Sequence, residues 1–205
     1  VVEIKIGVVS SPLQVNHGGD AYLVRRFPGK VLMAVVDALG HGLMARQAAN
    51  LTIKLLTDMF TANSNTDLNE LLESTHKALF GTVGVVIGLA LVDYKCRQLT
   101  FAGVGNITIK LIGNNITEVI LPAGILGYRT NNILCRTVSI SQDDLLLMHT
   151  DGISDNYKLS PSLLSFPKQI AQTLMCNYRR SNDDALVLIA TELLNEGYEE
   201  QVLYE

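Results

Sequence analysis

Cysteine is scarce: three residues in 205, Cys96, Cys135 and Cys176, widely spaced and without a CxxC pair. An odd, scattered set argues against a disulfide framework and for reduced packing thiols in a cytoplasmic protein. Basic charge is not in excess either. The formal net charge is −4, and the pairs Arg25-Arg26 and Arg179-Arg180 are too short for a nucleic-acid track. No apolar run approaches the roughly 20 residues of a membrane span. Val1 to Val9 carries no basic leader and no cleavage site. Repeats, linkers and low-complexity tracts are lacking too. What is abundant is apolar side chain, 48% of residues. That is enough for one sizeable core and a single domain over 1–205.

The most informative stretch is Val31 to Gly42, VLMAVVDALGHG. Six apolar residues without polar alternation read as a strand buried on both faces. The run ends in Asp37, costly to desolvate unless something positive meets it. Three other places repeat the design: HGGDAYLV with Asp20, LLLMHTDGISDN with Asp151 and Asp155, and SNDDALVLIA with Asp183 and Asp184. Carboxylates abutting apolar strands suit hard divalent cations such as Mg²⁺ and Mn²⁺.

Ile4 to Ser10 and Ala21 to Arg26 read as strands. Phe27-Pro28-Gly29-Lys30 is a turn that pairs Ala21–Arg26 with Val31–Val36. Antiparallel pairing places Asp20 and Asp37 at the same rim. Leu43 to Phe60 has helical composition, with Leu43, Ala48, Leu51, Leu55 and Met59 near one face. After a break at Asn63 to Asp67, Asp67 caps a second helix, Leu68 to Leu79, with Glu70 completing a capping box. Strands follow near 85–93, 98–102, 107–112, 117–121, 134–140, 144–148 and 185–190. Gly103-Val104-Gly105-Asn106 reads as a hairpin turn. Ser160-Pro161 and Pro167 to Cys176 suggest short helices, and the acidic Thr191 to Glu205 a last helix or a loose tail. The class is α+β, with helices packed on antiparallel sheets.

The order GGD, D-x-x-GHG, TDG-x-x-D and DD before a last strand resembles the metal-dependent protein phosphatase (PPM) family. The likeness spans about Asp20 to Ala190 and is nearest the bacterial SpoIIE-like branch, whose RsbX-type members are feedback phosphatases of the stressosome. QLTFAGVGNITIKL, LLLMHTDGIS and NDDALVLI carry the same likeness. The resemblance implies an αββα sandwich of two antiparallel sheets flanked by helices. It also implies a protein serine/threonine phosphatase acting on phosphorylated STAS-domain proteins, through in-line attack by a hydroxide bridging two Mn²⁺ or Mg²⁺ ions.

By motif, Asp37 would bridge the ions and the carbonyl of Ala38 would add a ligand. Asp151 and Asp183 would hold one ion and Asp20 would serve the other. Asp155 would bind metal water or a weaker third ion, with Asp184 and His41 behind the ligands. Three departures concern substrate handling: QVNHGG lacks the phosphate-binding arginine of the family's eukaryotic members, Leu186 stands where a Thr or Ser is usual, and Gly81-Thr82-Val83-Gly84 only loosely follows the family's small-residue strand start.

Taken alone, Asp37, Asp151 and Asp183 each read more readily as a turn or capping residue; their order carries the argument. His41 reads as shaping its turn, His149 as packing, His17 as a loop residue and His76 as helix surface. Glycines 18, 19, 40, 42 and 152 read as positions of positive φ or close backbone approach. A haloacid-dehalogenase-like reading of TDGISDN fails for want of a D-x-D after the first strand. A catalytically silent docking module is the alternative from another class.

Overall fold

The structure is a computed structural model that describes residues 4–13, 18–60, 67–130, 132–158, 166–194 and 202–204. Its elements are, in chain order, β1 (Lys5–Ser11), β2 (Asp20–Phe27), β3 (Lys30–Ala38), α1 (Leu43–Met59), α2 (Leu68–Ala78), β4 (Val85–Asp93) and β5 (Gln98–Val104). There follow β6 (Thr108–Ile112), β7 (Ile116–Val119), β8 (Gly124–Ile125), β9 (Arg129–Thr130), β10 (Leu134–Ser139) and β11 (Leu145–His149). α3 (Pro167–Tyr178), β12 (Ala185–Thr191) and β13 (Val202–Tyr204) complete the set.

Two antiparallel sheets result. One runs β1-β12-β11-β6-β7 and the other β10-β5-β4-β3-β2-β13, with β8-β9 as a small separate pair. Between the sheets Met33, Val35, Ala90 and Phe101 meet Ile109, Leu146, Met148 and Leu188. The outer face of the six-stranded sheet, with Leu32, Ala34 and Val36, packs under α1 and α2. α3 covers Leu145, Leu147, Val187 and Ile189 of the five-stranded sheet. Central strands are therefore covered on both faces, which is why β3, β4 and β12 read as unbroken apolar runs. This is the αββα sandwich.

The Phe27–Lys30 turn closes β2 on β3 as expected. Asp67 caps α2, its side chain accepting from the Asn69 N–H at 2.9 Å.

Several expectations need correction. α1 buries Ala45, Ala48, Ala49, Thr52, Ile53 and Leu56, while Leu43 is 59% exposed and Met59 36%. Small side chains face the sheet because they let the helix approach it closely. Gly103–Asn106 is no hairpin: β5 pairs with β4 and β10, β6 with β11 and β7, and the segment carries the chain between sheets. The terminal segment supplies a strand, β13, which covers the free edge of β2. The three cysteines are exposed free thiols, not packing residues. His76 is half-buried, its Nδ1 accepting from the Gly127 N–H at 3.0 Å. His17 and Ser160-Pro161 lie outside the described residues. No helix among the described residues is long and apolar enough to cross a membrane.

Candidate functional site

Asp20 opens β2, Asp37 sits one residue before the end of β3, and the register sets them directly opposite. Like charges facing across a strand pair repel, so the sheet would avoid this pair without some compensation. Asp151 lies two residues beyond β11, and Asp183 and Asp184 immediately precede β12. These strands belong to the other sheet, so the sandwich brings one rim of each sheet together.

Tight backbone packing holds that rim. A Cβ on Gly152 would lie 1.8 Å from the Asp184 carbonyl oxygen, so only glycine lets the TDG turn pass the DD turn. Gly40 has a φ of 82°, which turns the chain from Asp37 toward α1. The Ala38 N–H donates to the Gly19 carbonyl at 3.1 Å, tying the GGD loop to the end of β3.

The side chains divide by role. Asp184 is buried and its carboxylate accepts from the Leu13 and Gly19 N–H groups, each at 2.6 Å. It organises the loops. Thr150 Oγ1 donates to Asp20 Oδ2 at 2.7 Å and accepts from the Leu186 N–H at 3.0 Å, linking the sheets. Asn106 Nδ2 donates to Asp151 Oδ2 at 2.8 Å. Asp183 is exposed, its Oδ1 accepting from the Asp184 N–H at 2.9 Å.

Burial pushes Asp37 up to about 7, with Asp151, Asp183 and Asp184 adding repulsion. Burial, and then Asp37, raise Asp20 well above the usual carboxylate range, against the Thr150 hydrogen bond. Asp183 is raised by partial desolvation and then by Asp151, with the hydrogen bond from the Asp184 N–H acting the other way. Among the described residues, no three Asp, Glu, His or Cys side chains already stand at the spacing of metal ligands. The repulsions nevertheless place the carboxylates within one another's field.

A cavity of about 590 Å³ opens onto this rim, lined by Asp37, His41, Asn106, Asp151, Asp183 and Asp184, with Leu39, Val86, Leu121 and Ile125 as an apolar wall. Asp20 faces a neighbouring cavity of about 330 Å³ with Arg46 and Asn50. Asp155 stands elsewhere, 3.4 Å from Lys110 Nζ and 3.3 Å from His149 Nε2, and does not line the main cavity. His149 is fully buried, paired with the Thr150 carbonyl at 2.8 Å and the Tyr157 hydroxyl at 2.9 Å, and burial lowers its pKa. Arg25 donates to the Thr57 and Phe60 carbonyls at the end of α1, and Arg26 to the Ile4 carbonyl at 3.0 Å. Both arginines serve the fold. The sequence reading missed Thr150 and Asn106. The threonine of TDG and the polar residue after Gly105 were the available signals.

Two antiparallel sheets between helices are the fold of PP2C phosphatase domains. A family model, Stage II sporulation protein E (SpoIIE), matches residues 28–201. The chain belongs to the SpoIIE family. It is 22% identical over 139 residues to the phosphoserine phosphatase RsbX of Bacillus subtilis (strain 168), covering 66% of this chain and 67% of RsbX. A chain solved in work on the bacterial stressosome, a modular system adapted to control secondary messenger signaling, is 30% identical. There the match covers 92% of this chain and 100% of that one, at a TM-score of 0.83. A crystal structure of RsbX in complex with magnesium is 19% identical, covers 91% and 94% of the two chains, and has a TM-score of 0.79.

Proposed function

We propose that this chain is a divalent-cation-dependent protein phosphatase of the cytoplasm. Its substrates are phosphoserine or phosphothreonine on STAS-domain proteins of a stressosome or sigma-factor circuit. The observation that carries this reading is the convergence of Asp37, Asp151, Asp183 and Asp184 on one cavity, where burial and the other three carboxylates push Asp37 up to about 7. A divalent cation among these carboxylates would offset their mutual repulsion.

The donors fit such ions: every candidate side chain is a carboxylate, and hard cations take oxygen. Asp37 would stand between two ions, Mn²⁺ or Mg²⁺, with the Ala38 carbonyl beside it. Asp151 and Asp183 would hold one and Asp20 serve the other, while Asp155, beside Lys110 and His149 and outside the main cavity, is left out of the ligand set. When bound, two such ions supply a water of lowered pKa and positive charge facing the phosphoryl oxygens. Asp184 keeps the loops closed around the centre, and His41 borders the cavity. Among the described residues, no Ser, Thr, Cys or Lys lines that cavity, and its carboxylates Asp37, Asp151 and Asp183 would go to the cations.

The likeness to RsbX, named a phosphoserine phosphatase, and to the stressosome chain supports the choice of substrate. A silent docking module would have no use for this ring of repelling acids, and no observation favours it.

The test is phosphate release from an aryl phosphate, a phosphothreonine peptide and a phosphorylated STAS protein. Mn²⁺-dependent turnover is expected, lost with chelator and with Asp151→Asn, and fastest on the STAS protein. Turnover that survives both losses contradicts the cation reading. Equal rates on peptide and STAS protein contradict the choice of partner.

A further inference from the structure

Asn106 sits on the segment that crosses from β5 to β6, exposed at the edge of the main cavity. Its Nδ2 donates to Asp151 Oδ2 at 2.8 Å, 45 residues away in sequence. From this geometry we infer that Asn106 is a positioning residue, which fixes the Asp151 carboxylate so that its other oxygen meets a cation. The inference rests on the two-cation reading above.

A carboxylate free to rotate presents either oxygen and loses entropy when an ion arrests it. One donated hydrogen bond arrests it beforehand. The donor is neutral, which matters as much as its place. A lysine or arginine there would hold Asp151 equally well but would also offset the charge that the ion needs. An amide orients the carboxylate and leaves its charge intact.

The loop does not depend on the side chain it presents. The Gly105 N–H donates to the Pro122 carbonyl at 2.9 Å, and Gly105 takes a φ of 102° beside Val86. Backbone contacts therefore set the turn, and truncating Asn106 removes the amide without releasing the segment. Thr150 offers no such clean removal: its hydroxyl is buried and also satisfies the Leu186 N–H.

The experiment is calorimetric titration of the full chain with Mn²⁺, comparing wild type, Asn106→Ala, Asp151→Asn and the double variant, with melting temperatures measured alongside. Loss of a hydrogen bond that orients a ligand typically weakens metal affinity about 10–100-fold. Asn106→Ala should show a loss of that size with an unchanged cation-free melting temperature. The same change in the Asp151→Asn background should have no further effect, because the residue acts through Asp151. Affinity within twofold of wild type in Asn106→Ala overturns the assignment alone, as does an equal loss in both backgrounds. Wild type that binds no Mn²⁺ overturns the two-cation reading, and this inference with it.

Discussion

Asp37 concentrates the argument at the scale of one residue. Its carboxyl holds a proton up to about pH 7 in the fold, against 3.8 for an ordinary aspartate. Between those values the folded state binds more protons than the unfolded one, so stability falls as pH rises through that window. The sign is opposite to that of a salt-bridged aspartate, and it follows from burial among like charges. In cation-free buffer the melting temperature of wild type should therefore fall between about pH 4 and pH 7, relative to Asp37→Asn. The asparagine keeps the shape and loses the charge, so it should be the more stable protein at about pH 8 without cations. Mn²⁺ should stabilise wild type there and leave the variant almost unmoved. Thermal melts of both proteins across pH, with and without Mn²⁺, check this; parallel curves would show that Asp37 is not crowded.

At the scale of elements, α1 is the instructive case. Its length was legible from composition, whereas its buried face was not. A search for a stripe of large apolar residues finds Leu43, Leu51 and Leu55, yet the sheet is met by alanines, Thr52, Ile53 and Leu56. Leu56→Ala should cost about 2–5 kcal/mol of stability, and Leu43→Ser no more than ~0.5 kcal/mol, as chemical denaturation would measure. Equal costs would restore the stripe of large residues. The β2–β3 hairpin was legible because its turn and its apolar run are adjacent in the chain. The crossing at Gly105-Asn106 was not, since whether a strand rejoins its sheet depends on partners far along the chain. The same distinction governs the site. Each of the four aspartate sites marks itself by abutting an apolar run, Asp37 and Asp151 after one and Asp20 and Asp183-Asp184 before one, which a single segment reveals. Thr150 and Asn106 act on carboxylates 130 and 45 residues away, and no local pattern announces such a pair.

For the whole molecule, the site exists only because two sheets are stacked. The six-stranded sheet contributes Asp20 and Asp37, and the five-stranded sheet carries Asp151 and Asp183 at its rim. Neither sheet alone holds enough carboxylates for two ions, so bound cations would join the halves of the sandwich as well as serve the chemistry. The SpoIIE family match spans both sheets, in keeping with a centre that needs both. The most direct test is a crystal of the protein soaked in Mn²⁺, with anomalous scattering recorded at the manganese edge. Two peaks are predicted at the rim: both against Asp37, one of them also against Asp151 and Asp183. No peak there at saturating Mn²⁺, or peaks only at other carboxylates, would contradict the account.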